Sequence, residues 1–232
     1  MQAVASESGG NVYVAGTTAS PNLPVKNAFQ PGFAEAAILR TSNLGATWSR
    51  VATPPGSTVA LFPDPVASAT LFATSSLGIS KSVDSGQTWR LVYPFTQGYV
   101  APLAIDPGNH LRVAALVGTA MIRSLDGGET WQPAGTLCTA YAQKLLAAPG
   151  VLLAGPCLSR DWGATFQTIS PQGGIAVAAF DASHPGWIYA GSSAGVMGSF
   201  WLSTDYGATW TKKASPPTTF SGILNLAACP TL

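Results

Sequence analysis

The octet SVDSGQTW occupies Ser82–Trp89. It returns as SLDGGETW at Ser124–Trp131 and as STDYGATW at Ser203–Trp210. Looser copies are TSNLGATW at Thr41–Trp48 and SRDWGATF at Ser159–Phe166. Read on its serine, the motif falls at positions 42, 82, 124, 159 and 203. The steps are about 40, 42, 35 and 44 residues, near the period of four-stranded repeat units.

The flanks repeat as well. An apolar stretch ending in Asp precedes three octets: TVALFPDP, YVAPLAIDP and IAVAAFDASHP. A second follows it (TLFATS, LRVAALVG, WIYAGSS), and a third runs into the octet (GISKS, AMIRS, SFWLS). A fourth leaves from the octet tryptophan (TWRLVY, TWQPAG, TWTKKA). Period-two alternation with β-branched and aromatic residues predicts strands. Each unit thus reads as four antiparallel strands, a to d, with the octet in the c–d hairpin. AYAQKLLAAPG (residues 140–150) has some helical character, but its place in the repeat predicts strand a.

Composition agrees with an all-β chain. Of 232 residues, 47% are hydrophobic and 9% charged, with 25 Gly and 18 Pro. Many short strands between Gly/Pro turns point to a sandwich, barrel or propeller. The net charge is +1 with no basic block, which argues against a nucleic-acid partner. The longest apolar runs fall well short of the roughly 20 residues a membrane helix needs, so no membrane insertion is expected. The opening MQAVASESGG has no basic n-region and apolar core, so no signal peptide is expected in this chain. The weakly charged Ser/Thr/Gly/Ala-rich surface fits a secreted or cell-envelope bacterial protein.

Cys138, Cys157 and Cys229 match no zinc spacing. Cys138 and Cys157 fall in one repeat and either form a disulfide or sit as small buried hydrophobes. Cys229 has no evident partner. No cofactor or metal is expected.

Each octet residue has a turn-making reason. The Asp (Asp84, Asp126, Asp161, Asp205; Asn43 in the first copy) accepts from backbone N–H groups two or three residues on. The Gly (Gly45, Gly86, Gly128, Gly163, Gly207) supplies a positive φ. The Thr bonds back into the turn. The aromatic (Trp48, Trp89, Trp131, Trp210; Phe166 in the fourth copy) packs between neighbouring units. Copies spread around a repeat cannot form one active site, so the octets are read as structural.

The octet resembles the Asp-box, or BNR, motif, Ser/Thr-x-Asp-x-Gly-x-Thr-Trp, over nearly the whole chain. The resemblance implies an all-β propeller of four-stranded antiparallel blades. That family includes sialidases, xyloglucan hydrolases, sortilin-like receptors and photosystem assembly factors, so it predicts fold better than function. Residues 10–29 resemble a second pattern, the bacterial SBBP β-propeller repeat. The whole chain, 1–232, reads as one propeller domain. Its blades fall at about 1–53, 54–97, 98–136, 137–172 and 173–217, with 218–232 as an extra strand. Either the chain is part of a larger ring, or GILNLAACPTL pairs with NVYVAG and closes five blades, displacing QAVAS.

The sialidase resemblance implies three arginines on a sugar carboxylate, a Tyr–Glu pair and an Asp acid/base. None is recognisable here. The arginines lie in or beside octets or on strand d, except Arg112. The strands expected to line an axis, such as VALF and APLAI, carry no acid, Arg or His. Asp64, Asp106 and Asp181 close strand a, with His110 and His184 in the same turns. These five mark a possible ligand face. The histidines, with no carboxylate cluster beside them, read as polar turn residues. Trp162 and Tyr206, at variable octet positions, are expected to point outward with Trp201 as a stacking surface. The expectation is a non-catalytic, monomeric binding or scaffold domain for a protein or carbohydrate. The alternatives are a relative of a glycoside hydrolase and an assembly-factor-like protein binder.

Overall fold

The computed structural model describes residues 3–6, 11–16, 37–95, 100–139, 142, 144–172, 174–191 and 199–213. Twenty strands among them form five four-stranded antiparallel sheets, each in the order of the sequence. The first sheet holds β1 (Ala3–Ser6), β2 (Val12–Gly16), β3 (Ala37–Thr41) and β4 (Ser49–Val51). The second holds β5 (Thr58–Pro63), β6 (Leu71–Ser75), β7 (Gly78–Ser82) and β8 (Arg90–Pro94). The third holds β9 (Val100–Ile105), β10 (Val113–Val117), β11 (Ala120–Ser124) and β12 (Gln132–Pro133). The fourth holds β13 (Leu145–Ala148), β14 (Val151–Ala154), β15 (Cys157–Ser159) and β16 (Gln167–Thr168). The fifth holds β17 (Val177–Phe180), β18 (Ile188–Gly191), β19 (Phe200–Ser203) and β20 (Thr211–Lys213).

The segment around Leu145 is strand, as its repeat register predicts. β1 pairs with one edge of β2 and β3 with the other. QAVAS is therefore not displaced from the edge of β2. GILNLAACPTL, Cys229, the proline-rich insertion and most of residues 10–29 lie outside the described residues.

Two compact units divide the chain. The first comprises Met1–Ile105, His110–Gly118 and Ile122–Gln132. The second comprises Asp106–Asn109, Thr119–Met121 and Pro133–Leu232.

In the first unit the strand-b sequence LFATS shows how the layers form. Its side chains alternate between faces, and all five are buried. Leu71 and Ala73 join Tyr13, Ile38 and Leu61 in one core cluster, with Trp89 packed on it. Phe72 faces the other way, into Leu103, Ile105, Val113 and Ala115, with Trp131 packed on that cluster. A strand covered on both faces reads as a continuous apolar run, which is why the hydrophobic content is so high. Each fully buried Phe or Leu contributes roughly 1.5–3 kcal/mol. In the second unit Val151, Leu153, Leu158, Ile169 and Ile188 form the core, with Tyr206 and Trp210 against it. The outer d strands β12, β16 and β20 are exposed along their length.

Cys138 and Cys157 form a disulfide with Cα atoms 5.5 Å apart. It ties the chain entering the fourth sheet to strand β15. In the chain-entropy picture, closing a loop with 19 residues of separation adds about 3 kcal/mol.

Candidate functional site

Two sets of turns lie at one end of each sheet. Antiparallel order puts the a–b and c–d turns at the same end, and both sets carry the acids singled out from the sequence.

The c–d turn is built around a buried hydroxyl. Ser82 Oγ accepts from the Gly86 amide at 2.9 Å and donates to Asp84 Oδ1 at 2.8 Å. Asp84 Oδ1 also accepts from the Thr88 amide at 2.9 Å, and Oδ2 accepts from the Thr88 hydroxyl at 2.6 Å. The same bonds recur at Ser124/Asp126/Thr130, Ser159/Asp161/Thr165 and Ser203/Asp205/Thr209. The carboxylate therefore reaches four residues on, further than the Asx-turn expected from the sequence; Asp126 also takes the amide three residues on, that of Glu129, at 3.1 Å.

In the first copy Thr41 is the hub, accepting from the Gly45 amide at 2.9 Å. The register residue is thus Thr41, not Ser42, and Ser42 is exposed. Asn43 Oδ1 accepts from the Thr47 amide at 2.8 Å, while Asn43 Nδ2 donates to Thr47 Oγ1 at 2.8 Å. That last bond runs opposite to the one in the Asp copies.

The sequence placed one positive φ in each octet, but the structure has two in succession. Ser85 and Gly86 sit at φ 60 and 85, and Asp161's successors Trp162 and Gly163 at 53 and 81. The first of the pair aims its amide at the a–b turn. Ser85 donates to the Ala69 carbonyl, Gly127 to Leu111 and Tyr206 to Gly186. In the second, third and fifth sheets the c–d turn is thereby stitched to its own a–b turn.

These bonds favour the ionised carboxyl. The Thr88 hydroxyl, then its amide, then the Ser82 hydroxyl hold Asp84 down at about 2. The corresponding groups hold Asp126 and Asp205 at about 2. At Asp161 burial pushes upward most strongly, yet Thr165 and Ser159 outweigh it and leave about 2. A carboxyl so low is a poor general acid near neutrality.

The a–b turn acids are equally committed. Asp64 is 2% exposed; its Oδ1 accepts from the Val66 and Ala67 amides, each at 2.8 Å. Its Oδ2 lies 3.0 Å from His110 Nδ1, on the next sheet's a–b turn. Asp106 is fully buried and accepts from the Gly108 amide and from Gly150, on the fourth sheet's a–b turn, at 3.0 Å. Asp181 accepts from the Ser183 and His184 amides and from the Tyr189 hydroxyl. Burial pushes Asp181 up, but these donors and His184 bring it below the ordinary range. Burial, then Asp181, raises Tyr189.

Both histidines, read as having no carboxylate cluster beside them, each pair with a single one. His184 Nδ1 lies 3.2 Å from Asp181 Oδ2, and its ring stacks on Trp187 at 4.3 Å. Asp64 pairs with His110, Asp181 with His184, and Asp106 accepts from backbone amides.

The aromatics also differ from expectation. Trp162 is 1% exposed, so it is core and not a stacking surface. Tyr206 packs on the second unit's core, with the Arg160 guanidinium 4.8 Å above its ring. Trp201 is half-buried beneath Lys212 Nζ, 5.9 Å from the ring centroid. Trp48, expected between units, is 45% exposed and is the only octet Trp that packs on none of the described clusters. Trp89 instead donates to the Ala52 carbonyl of the preceding sheet at 2.8 Å. Phe166 is half-buried. Glu129 pairs with Lys81 at 2.8 Å and with Arg90, and Lys81, then Arg90, lowers its pKa. No group of three or more His, Cys, Asp or Glu residues able to hold a metal occurs among the described residues. No helix among them is long and apolar enough to cross a membrane.

The sequence reading missed the Ser/Thr hub and the His–Asp pairs. The hub's signal was its presence in all five octets.

No protein-family model and no curated protein matches the chain. Solved structures do. The chain superimposes on the GH74 enzyme of Niastella koreensis with a TM-score of 0.67 at 19% identity, covering 92% of this chain and 38% of that one. It matches the GH74 xyloglucanase from Xanthomonas campestris with a TM-score of 0.58 at 18% identity, over 87% and 36%. It matches YCF48 bound to D1 peptide with a TM-score of 0.60 at 19% identity, over 91% and 65%. The fold is that of a β-propeller. The five sheets are its blades, with strand a first and strand d outermost. The chain spans less than two thirds of each of these three relatives, and at such identities the likeness concerns the fold.

Proposed function

We propose that the chain is a non-catalytic Asp-box propeller domain that binds a polypeptide. Its octets are BNR repeats that serve as blade corners. The observation that supports this most is the state of the acids. Of ten Asp and Glu, Glu7 and Glu35 lie outside the described residues; each of the other eight is hydrogen-bonded or ion-paired. Glycoside hydrolysis needs two carboxyls facing one sugar, one of them protonated. Carboxyls held near 2 by their own turns do not suit that role. The polypeptide is favoured over a carbohydrate because one structural relative is bound to a peptide and because the aromatics expected to stack on sugar are buried or half-buried.

The Cys138–Cys157 disulfide supports a secreted or envelope location, since such bonds persist in oxidising compartments. The domain is expected to be monomeric. A second reading, kinship with a glycoside hydrolase, is favoured by the GH74 likeness over nearly the whole chain. One assay separates the two. The full chain is incubated with xyloglucan and reducing ends are counted. No release above the blank is expected. Steady release that scales with protein would overturn the non-catalytic reading.

A further inference from the structure

Every large hydrophobic residue that is exposed among the described residues belongs to the first unit. Five of them sit at its a–b and c–d turns: Leu44 at 93%, Val83 at 64%, Val66 at 56%, Leu125 at 49% and Leu111 at 47% exposed. Four of these, Val66, Val83, Leu111 and Leu125, are joined by the bonds that hold the turns; Leu44 lies in the first blade's octet. The Ser85 amide on the Ala69 carbonyl sets the turn of Val66 beside the octet of Val83. The Asp64–His110 contact sets that turn beside the one carrying Leu111. The Gly127 amide on the Leu111 carbonyl sets Leu111 on the octet of Leu125, with its Cδ2 3.4 Å from where a Gly127 Cβ would stand. Turn chemistry does not require these residues. The octet position of Val83 and Leu125 is Arg160 and Thr204 in the fourth and fifth blades, with the same hydrogen bonds.

We propose that this run of blade corners docks a short, uncharged polypeptide segment bearing aliphatic side chains. The proposal rests on the polypeptide-binding reading above and places the contact. The size suits a segment. The four joined aliphatic side chains present apolar surface on the order of a few hundred Å². That is short of the roughly 800 Å² per partner of a stable protein–protein interface, which disfavours a second copy of the chain. The charge suits it as well. Lys81 and Arg90 are both taken by Glu129, Arg40 donates to Asn11 Oδ1, and Arg50, Arg112 and Arg123 of the same unit also have partners. Cations so engaged do not draw an anionic lipid surface, whereas a neutral apolar segment needs none.

The test pans a random dodecapeptide phage library on the immobilised full chain. An enriched peptide is synthesised and its affinity measured for wild type, for the Val83→Thr/Leu125→Arg double variant and for Arg160→Thr. Val66→Ser, at an exposed position on the same run, serves as a second probe should the double variant fold poorly. The expected result is enrichment of aliphatic-rich peptides, with binding at least about tenfold weaker for the double variant or for Val66→Ser and unchanged for Arg160→Thr. Equal affinity for all variants would overturn the docking surface and leave peptide binding standing. An absence of any enriched peptide would overturn peptide binding itself. Self-association in ultracentrifugation, or pelleting with phosphatidylglycerol vesicles, that is lost in the double variant would assign the surface to a second copy or to lipid and overturn the proposal.

Discussion

The octets of the first and third blades have the same skeleton and different surroundings. In both, a Thr or Ser hydroxyl receives the glycine amide and a side-chain oxygen two residues on receives the threonine amide. In the third blade that oxygen belongs to Asp126, and in the first to Asn43. The amide keeps the acceptor, lacks the charge, and reverses one bond by donating to Thr47. Packing differs more. A Cβ on Gly128 would stand 2.6 Å from the buried Phe72 ring, whereas a Cβ on Gly45 would meet nothing nearer than Trp48 at 3.8 Å. Trp131 is tilted against Tyr93 at 6.0 Å, while Trp48 is largely solvated. The turn is thus made by hydrogen bonds, and its wedging into a neighbouring blade is a separate layer. In the first blade neither layer uses an acid.

The largest contrast is expected at the glycines. Gly128→Ala meets both a left-handed φ of 85 and the Phe72 ring, and should cost roughly 2–4 kcal/mol. Gly45→Ala meets the same φ with only ordinary contact to Trp48 and should cost about 1 kcal/mol. Equal losses in urea unfolding would show that wedging plays no part. Ser124→Ala comes next. It strands the buried Gly128 amide and should cost about 1–3 kcal/mol. A variant as stable as wild type would remove the hydroxyl from the centre of the turn. The smallest pair is at Asp126. Asp126→Ala leaves exposed Thr130 donors to water and should cost about 1 kcal/mol. Asp126→Asn copies the first blade and should stay within about 0.5 kcal/mol of wild type. An Asn variant as damaged as the Ala variant would mean that an amide cannot take the carboxylate's place in this turn.

Fold was legible in the sequence because blade corners recur. A turn needed in every blade writes the same Ser, Asp, Gly, Thr and Trp at similar intervals, and strand register follows. What escaped the reading depends on contacts between segments far apart in the chain. Asp64 and His110 lie 46 residues apart, and Asp106 and Gly150 lie 44 apart. Neither pairing leaves a local pattern. Trp162 looked like a surface residue because its octet position varies. That position admits both extremes, since Leu44 is solvated and Trp162 is core. The two alternatives for Cys138 and Cys157 were settled by distance, which spacing alone does not encode.

The central claim is that the octet acids are connectors whose charge serves the turn and no reaction. Thermal unfolding of wild type and of Asp84→Asn/Asp126→Asn/Asp161→Asn/Asp205→Asn, followed from neutral pH down to about 2, tests it directly. The wild-type carboxyls lie at about 2 when folded, below their unfolded value near 3.9. Their stabilisation is therefore complete above about pH 4 and fades as pH falls toward 2. The account predicts a variant that folds at neutral pH with a somewhat lower midpoint, and a gap to wild type that closes on acidification. A variant unfolded at neutral pH, or a gap that stays constant down to pH 2, would contradict it.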